Sequence, residues 1–173
     1  MEIWDVYDEN RIKTGRTMVR GEPVKDGDYH LVVHVCVFNS EGKMLIQQRQ
    51  SFKEGWSNMW DITAGGSAVA GDSSRTAAER EVMEEIGIEI DLHGVHPKLT
   101  INHEVCFDDI YVITKDVDIS ALKLQYEEVQ AVKWADAEEI KSMIAEEKFV
   151  PYHPAFIDIL FHFRTNTGTF TKF

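Results

Sequence analysis

Residues 66–88 read G-S-A-V-A-G-D-S-S-R-T-A-A-E-R-E-V-M-E-E-I-G-I. Within them, Arg80-Glu81-x-x-Glu84-Glu85 sets three carboxylates three and four residues apart. At about 100° per residue, Glu81, Glu84 and Glu85 fan over an arc of roughly 100° on a helix. Ala78, Val82 and Ile86 fall on other sides, so the acids share one face and the aliphatics another. Like charges at helical spacing repel. A hard divalent cation such as Mg²⁺, which takes oxygen ligands, is the simplest offset. Asp72 or Ser73 is the expected N-cap, and Gly87 marks the end.

Outward from this helix, β-branched and aliphatic runs predict strands. Towards the N-terminus they cover residues 30–38 and 43–48, joined by the turn Asn39-Ser40-Glu41-Gly42, with residues 60–64 entering the sheet again. Residues 2–6 and 17–19 form a short N-terminal hairpin within residues 2–20. Beyond the helix, strands are expected at 88–92, 99–107, 110–114 and 129–134, with Asp108-Asp109 read as a turn between two of them. Residues 136–147 make an amphipathic helix capped by Asp136, and 153–163 an apolar one. Residues 165–173 read as a loose tail. The irregular alternation predicts an α/β fold, a mixed β-sheet packed between helices, as one domain over residues 1–173.

The formal net charge of −12 argues against a nucleic-acid backbone as partner. It leaves room for phosphorylated small molecules, since a bound cation inverts the local field. Cys36 and Cys106, both in apolar runs, read as buried reduced thiols. No apolar stretch is long enough for a membrane span, and the acidic N-terminus does not resemble a signal peptide, so a cytoplasmic location is the expectation.

The stretch resembles the signature of the Nudix hydrolases. Gly66, Arg80, Glu81, Val82, Glu84, Glu85, Gly87 and Ile88 match it, while Asp72 stands where the family has Glu, one methylene shorter. The match spans 23 of 173 residues. A solvated acidic face is the ordinary reading of a charge run. It accounts for neither Gly65-Gly66 before the helix nor Gly87 after it. The resemblance implies an α/β/α sandwich and Mg²⁺, with Mn²⁺ as the alternative. It also implies hydrolysis of a diphosphate bond by metal-activated water, with a nucleoside diphosphate joined to another group as the expected substrate. Glu81, Glu84 and Glu85 become metal ligands with the Gly66 carbonyl, and Arg80 orients Glu81. Glu81 and Glu85 are also candidates for the catalytic chemistry. Glu128, with Glu127 and Glu104 as alternatives, is a candidate general base. Family precedent and the apolar C-terminal helix allow a homodimer.

Other residues are read from their own chemistry. Arg16, Arg20 and Arg49 are the cations placed to reach phosphates. Trp56, beside Gly55, is a candidate to stack on a ligand, whereas Trp60 reads as core. His30 and His34 share a strand face and read as core. The N-terminal half also resembles a subgroup that includes the isopentenyl-diphosphate isomerases. That makes an isomerase the sharpest rival, with a non-catalytic nucleotide sensor as a third reading. Gly65 and Ser67 stand where the isomerase has its cysteine and its metal-binding histidine, so hydrolysis is preferred.

Overall fold

The computed structural model describes residues 2–165 and 168–170. The expected tail at 165–173 lies partly outside them.

Strand β1 (Ile3–Tyr7) and β2 (Lys13–Val19) form an antiparallel two-stranded hairpin. Strand β3 (His30–Phe38) is buried along almost its whole length, as its unbroken run of apolar residues demands. It pairs antiparallel with β4 (Met44–Arg49) at one end and with β6 (Ala64–Ser67) at the other. Along its other edge it pairs in parallel with β8 (Cys106–Thr114). Strand β7 (Leu99–Asn102) extends this edge, while β5 (Trp60–Asp61) and β9 (Val129–Ala135) pair with β4. The mixed sheet thus divides at β3, and β6 fills the fork.

Helix α1 (Ser74–Ile86) covers one face, packing Ala77, Ala78, Val82 and Ile86 on Val33, Val35 and Val37. Helices α2 (Ala137–Ala145) and α3 (Pro154–Phe163) cover the other, over Cys36, Phe38, Ile110 and Val112. This is an α/β/α sandwich. Asp136 caps α2, accepting from the Glu139 amide at 2.8 Å. On α3, Ile157, Leu160 and Phe163 are buried in the core, leaving Ile159 as its exposed large apolar residue.

Three readings need correction. Residues 88–92 form no strand: Ile88, Ile90 and Leu92 are buried with period two, but no neighbour supplies a ladder. The run at 99–107 breaks at His103, whose amide bonds the Cys106 carbonyl at 2.9 Å, turning the chain into β8. Asp108-Asp109 is therefore not a turn but lies inside β8. Successive strand side chains point to opposite faces. Asp109 accordingly meets Arg11 and Thr100, and Asp108 meets His34. Each buried carboxylate has its own partner, which lets two charges stand mid-strand.

Candidate active site

Helix α1 begins with a capping box. Ser73 accepts from the Thr76 amide, and Thr76 accepts from the Ser73 amide at 2.8 Å. It ends at Gly87, whose φ of 70° is the left-handed conformation that glycine adopts freely. Burying Ala78, Val82 and Ile86 fixes its rotation and turns Glu81, Glu84 and Glu85 towards the end of β6. There Gly66 leaves room for the Glu81 carboxylate: a Cβ at this position would lie 2.5–2.7 Å from it.

Arg80 is the hub. Its Nη1 donates to Glu81 Oε1 at 2.9 Å and Glu84 Oε2 at 3.1 Å, and its Nη2 donates to the Ser67 carbonyl at 3.1 Å. Asp72 accepts from Nε and Nη2 at 3.2 and 3.1 Å, so the shorter acid reaches the guanidinium directly. A plain surface ion pair does not describe this fork. Glu85 is 5% exposed, and its Oε2 accepts from Gln47 Nε2 at 2.8 Å. Burial, with Glu81 close by, pushes its carboxyl up to about 8. Burial also raises Glu81, against the pull of Arg80.

These groups line a cavity of about 200 Å³. Glu128, Arg20, Arg49 and Gly66 share it, and so do Glu2 and Lys53, which sequence reasoning missed. Glu2 comes from the open end of the hairpin, where it accepts from Trp4 Nε1 at 2.6 Å and Arg20 Nη1 at 2.9 Å. Lys53 pairs with Glu128. The Gln125 amide bonds the Glu85 carbonyl at 2.9 Å, which ties the turn before β9 to α1. The only signal for Glu2 and Lys53 was charge beside a hairpin or loop, and that is common everywhere.

Trp56 does not line the cavity. It is 52% exposed on the loop after β4, at a φ of 49°. Arg16 is engaged by Asp28 through bonds of 2.7 and 2.6 Å, and Glu104 and Glu127 also lie outside the cavity. Trp60 is half-buried under the Lys133 ammonium, and His30 stacks on Trp4 at 4.1 Å.

The NUDIX domain family model matches residues 28–158. An uncharacterized Nudix hydrolase of Listeria monocytogenes is 48% identical over 167 residues, covering 96% of this chain and 98% of that one. The chain belongs to the Nudix hydrolase family. This Nudix hydrolase is a pyrophosphohydrolase, and Nudix hydrolases act on small phosphorylated substrates. Isopentenyl-diphosphate Delta-isomerase of Pectobacterium atrosepticum is 26% identical, covering 85% of this chain and 84% of its own. In fold, the Nudix hydrolase is similar to the crystal structure of DR0079 from Deinococcus radiodurans. That likeness has a TM-score of 0.73 at 19% identity and covers 92% of this chain and 97% of that one.

Nudix enzymes work with divalent metals. Among the described residues, no three His, Cys, Asp or Glu side chains stand in ready-made ligand geometry. The donor set nevertheless fits a hard cation. Among the described residues, Glu81, Glu84, Glu85 and Glu128 each accept from a side-chain donor through one oxygen, and the other oxygen has no donor. Carboxylate oxygens around a small cavity suit Mg²⁺ or Mn²⁺ better than softer metals. Neither thiol lies in the cavity. Burial raises the buried Cys36 well above the usual thiol range and pushes the half-buried Cys106 up to about 11, which leaves neither as a ready thiolate.

Proposed function

We propose that this protein hydrolyses the diphosphate bond of a nucleoside diphosphate linked to another moiety, using Mg²⁺ or Mn²⁺. One observation carries the reading: Glu81, Glu84, Glu85 and Glu128 line one cavity together with Arg20, Arg49 and Lys53. Such a lining fits a bridging phosphate between acid-held cations and basic side chains.

Glu81, Glu84 and Glu85 would hold the metal, with the Gly66 carbonyl as a further oxygen donor. The ion, when bound, would supply charge neutralisation of the phosphates and a water of lowered pKa. Arg80 fixes the Glu81 and Glu84 carboxylates through its planar fork. Glu128 takes the proton of the attacking water. Arg49 and Arg20 bind the phosphate oxygens. Arg49 lines the cavity, and its Nη1 stands 3.7 Å from Asp61, beyond hydrogen-bond distance, which leaves that group donors for a phosphate. Two free thiols and the absence, among described residues, of a helix able to cross a membrane support a cytoplasmic setting.

A panel of nucleoside diphosphate derivatives, read by phosphate and nucleotide release with saturating Mg²⁺, tests this. Glu84→Gln is expected to lower kcat by roughly 10³-fold, the scale of losing a charge-stabilising group in a closed site. Its melting temperature should move little, because Glu84 is half exposed. Wild-type turnover in that variant would overturn the mechanism.

A further inference from the structure

The hairpin β1–β2 precedes residue 28, where the stretch matched to the Nudix family begins. Its open end nevertheless supplies two residues to the wall of the acidic cavity, Glu2 and Arg20. They are joined at the backbone, where the Arg20 amide donates to the Glu2 carbonyl at 3.0 Å. They are joined again at the side chains, where Arg20 Nη1 donates to Glu2 Oε2 at 2.9 Å.

The hairpin is itself tied to the loop that leads into α1. The Ala70 amide donates to the Ile3 carbonyl at 2.8 Å, and the Gly71 amide to Asp5 Oδ2 at 2.9 Å. Lys13 Nζ donates to the Asp72 carbonyl at 2.9 Å. Trp4 is 9% exposed, and its ring stacks on that of buried His30. From this fixed ring, Nε1 donates to Glu2 Oε1 at 2.6 Å. Both Glu2 oxygens are therefore engaged by internal donors, one of them on a rigid support.

Stability does not account for this chain of bonds. The Arg20 side chain is 58% exposed, and ion pairs so exposed contribute little to folding. Placement does account for it. A free arginine samples many rotamers, and ordering it on a ligand weakens binding. A guanidinium held through one nitrogen is already ordered and keeps the rest of its fork for a second anion. We propose that Glu2 is a positioning residue: fixed by Trp4, it holds Arg20 at the cavity wall with Nε and Nη2 left to grip the diphosphate. The inference rests on the acidic cavity being the phosphate site. It gives the hairpin a share in affinity for the diphosphate, while the acids of α1 govern the rate.

Two measurements test it. The first is calorimetric titration of methylenediphosphonate, whose P–C–P bridge water does not open, at saturating Mg²⁺. The proteins are wild type, Trp4→Phe, Glu2→Gln, Arg20→Met, and Arg20→Met combined with each of the other two. Trp4→Phe keeps an aromatic ring against His30 and leaves both charges in place, but removes the N–H that fixes Glu2. Circular dichroism melts confirm that each variant folds, and Glu2→Gln decides alone where Trp4→Phe does not. Arg20→Met is expected to weaken binding at least tenfold, the scale of a hydrogen bond to a charged group. Trp4→Phe and Glu2→Gln should each weaken it about three- to tenfold, and should cost nothing further once Arg20→Met is present. The second measurement is steady-state kinetics on the best nucleoside diphosphate derivative. Glu2→Gln should raise KM and leave kcat within twofold, because Arg20 holds the substrate equally before and during reaction. Wild-type or tighter binding in either folded single variant, additive losses in the combined variants, or a loss confined to kcat overturns the inference. Non-additive binding losses while Glu84→Gln keeps full turnover would support the role of Glu2 and refute the hydrolytic mechanism instead.

Discussion

Two cavities on either side of β6 are built by opposite means. The acidic one is a ring of charges held by internal cations and amides, with half of its backbone in α1 and β6. The other, of about 290 Å³ on the α3 side of the sheet, takes its walls from β3, the residue after β5, β7, β8 and the start of α3. The first rests on matched charges, the second on apolar side chains with His34, His103 and His153 among them, so each answers to a different kind of substitution. Adjacent glycines divide them, Gly66 beneath Glu81 and Gly65 against His34.

The sharpest way to break that contrast is to substitute each glycine in turn. Gly66→Ala would drive a methyl to within 2.5–2.7 Å of the Glu81 carboxylate. Displacing a group that must hold its position within a fraction of an ångström should cost about 10²-fold in kcat, read in steady-state assays at saturating Mg²⁺. Next comes Arg80→Lys, which keeps the charge but loses the fork that spans Asp72, Glu81, Glu84 and the Ser67 carbonyl. A loss of about 10- to 100-fold in activity or metal affinity is expected, the scale of removing a residue that orients ligands. Metal titration would separate the two. An activity equal to wild type would show that the fork is dispensable.

Gly65→Ala should act on stability first. Its Cβ would collide with His34 and lie 3.0 Å from the Val33 carbonyl oxygen, part of the backbone, which cannot yield cheaply. Overpacking of this kind costs about 1–3 kcal/mol, measured by urea denaturation. Smallest is Ser73→Ala, which removes the cap of α1 at a residue that lines neither cavity. A cost of about 1 kcal/mol is expected. That corresponds to about 2–4 °C in melting temperature for a chain of this size, with kcat within twofold. A large kinetic effect there would mean that fraying of α1 reaches the acids.

The helix carrying the acids was legible because every cue lies within one stretch. Ser73 and Gly87 bound it, the aliphatic spacing sets its buried side, and a helix makes neighbours of residues three and four apart. The β3 core and the hairpin were legible for the same local reason. The failures share a different cause. Residues 88–92 have strand-like alternation, yet a strand also needs a partner, and no pattern within the segment reveals one. Asp108-Asp109 looks like a turn because charge seldom enters a strand interior. Only the arrival of Arg11 and His34, 98 and 74 residues away in sequence, makes it tolerable. Trp56 drew attention by its type, but the left-handed loop that carries it stands outside the acidic cavity.

By itself, then, the chain's order of residues determined the acid-bearing helix, its caps, the family and the kind of bond attacked, since those depend on contacts within a few turns of backbone. Only the tertiary structure decided which distant groups face those acids: Glu2 and Arg20 from the hairpin, Lys53 and Arg49 from the far side of β4, Glu128 before β9. It alone also assembled the second cavity beside them. A cavity is the space that packed elements leave between them, so its walls follow from how the layers close rather than from any one segment.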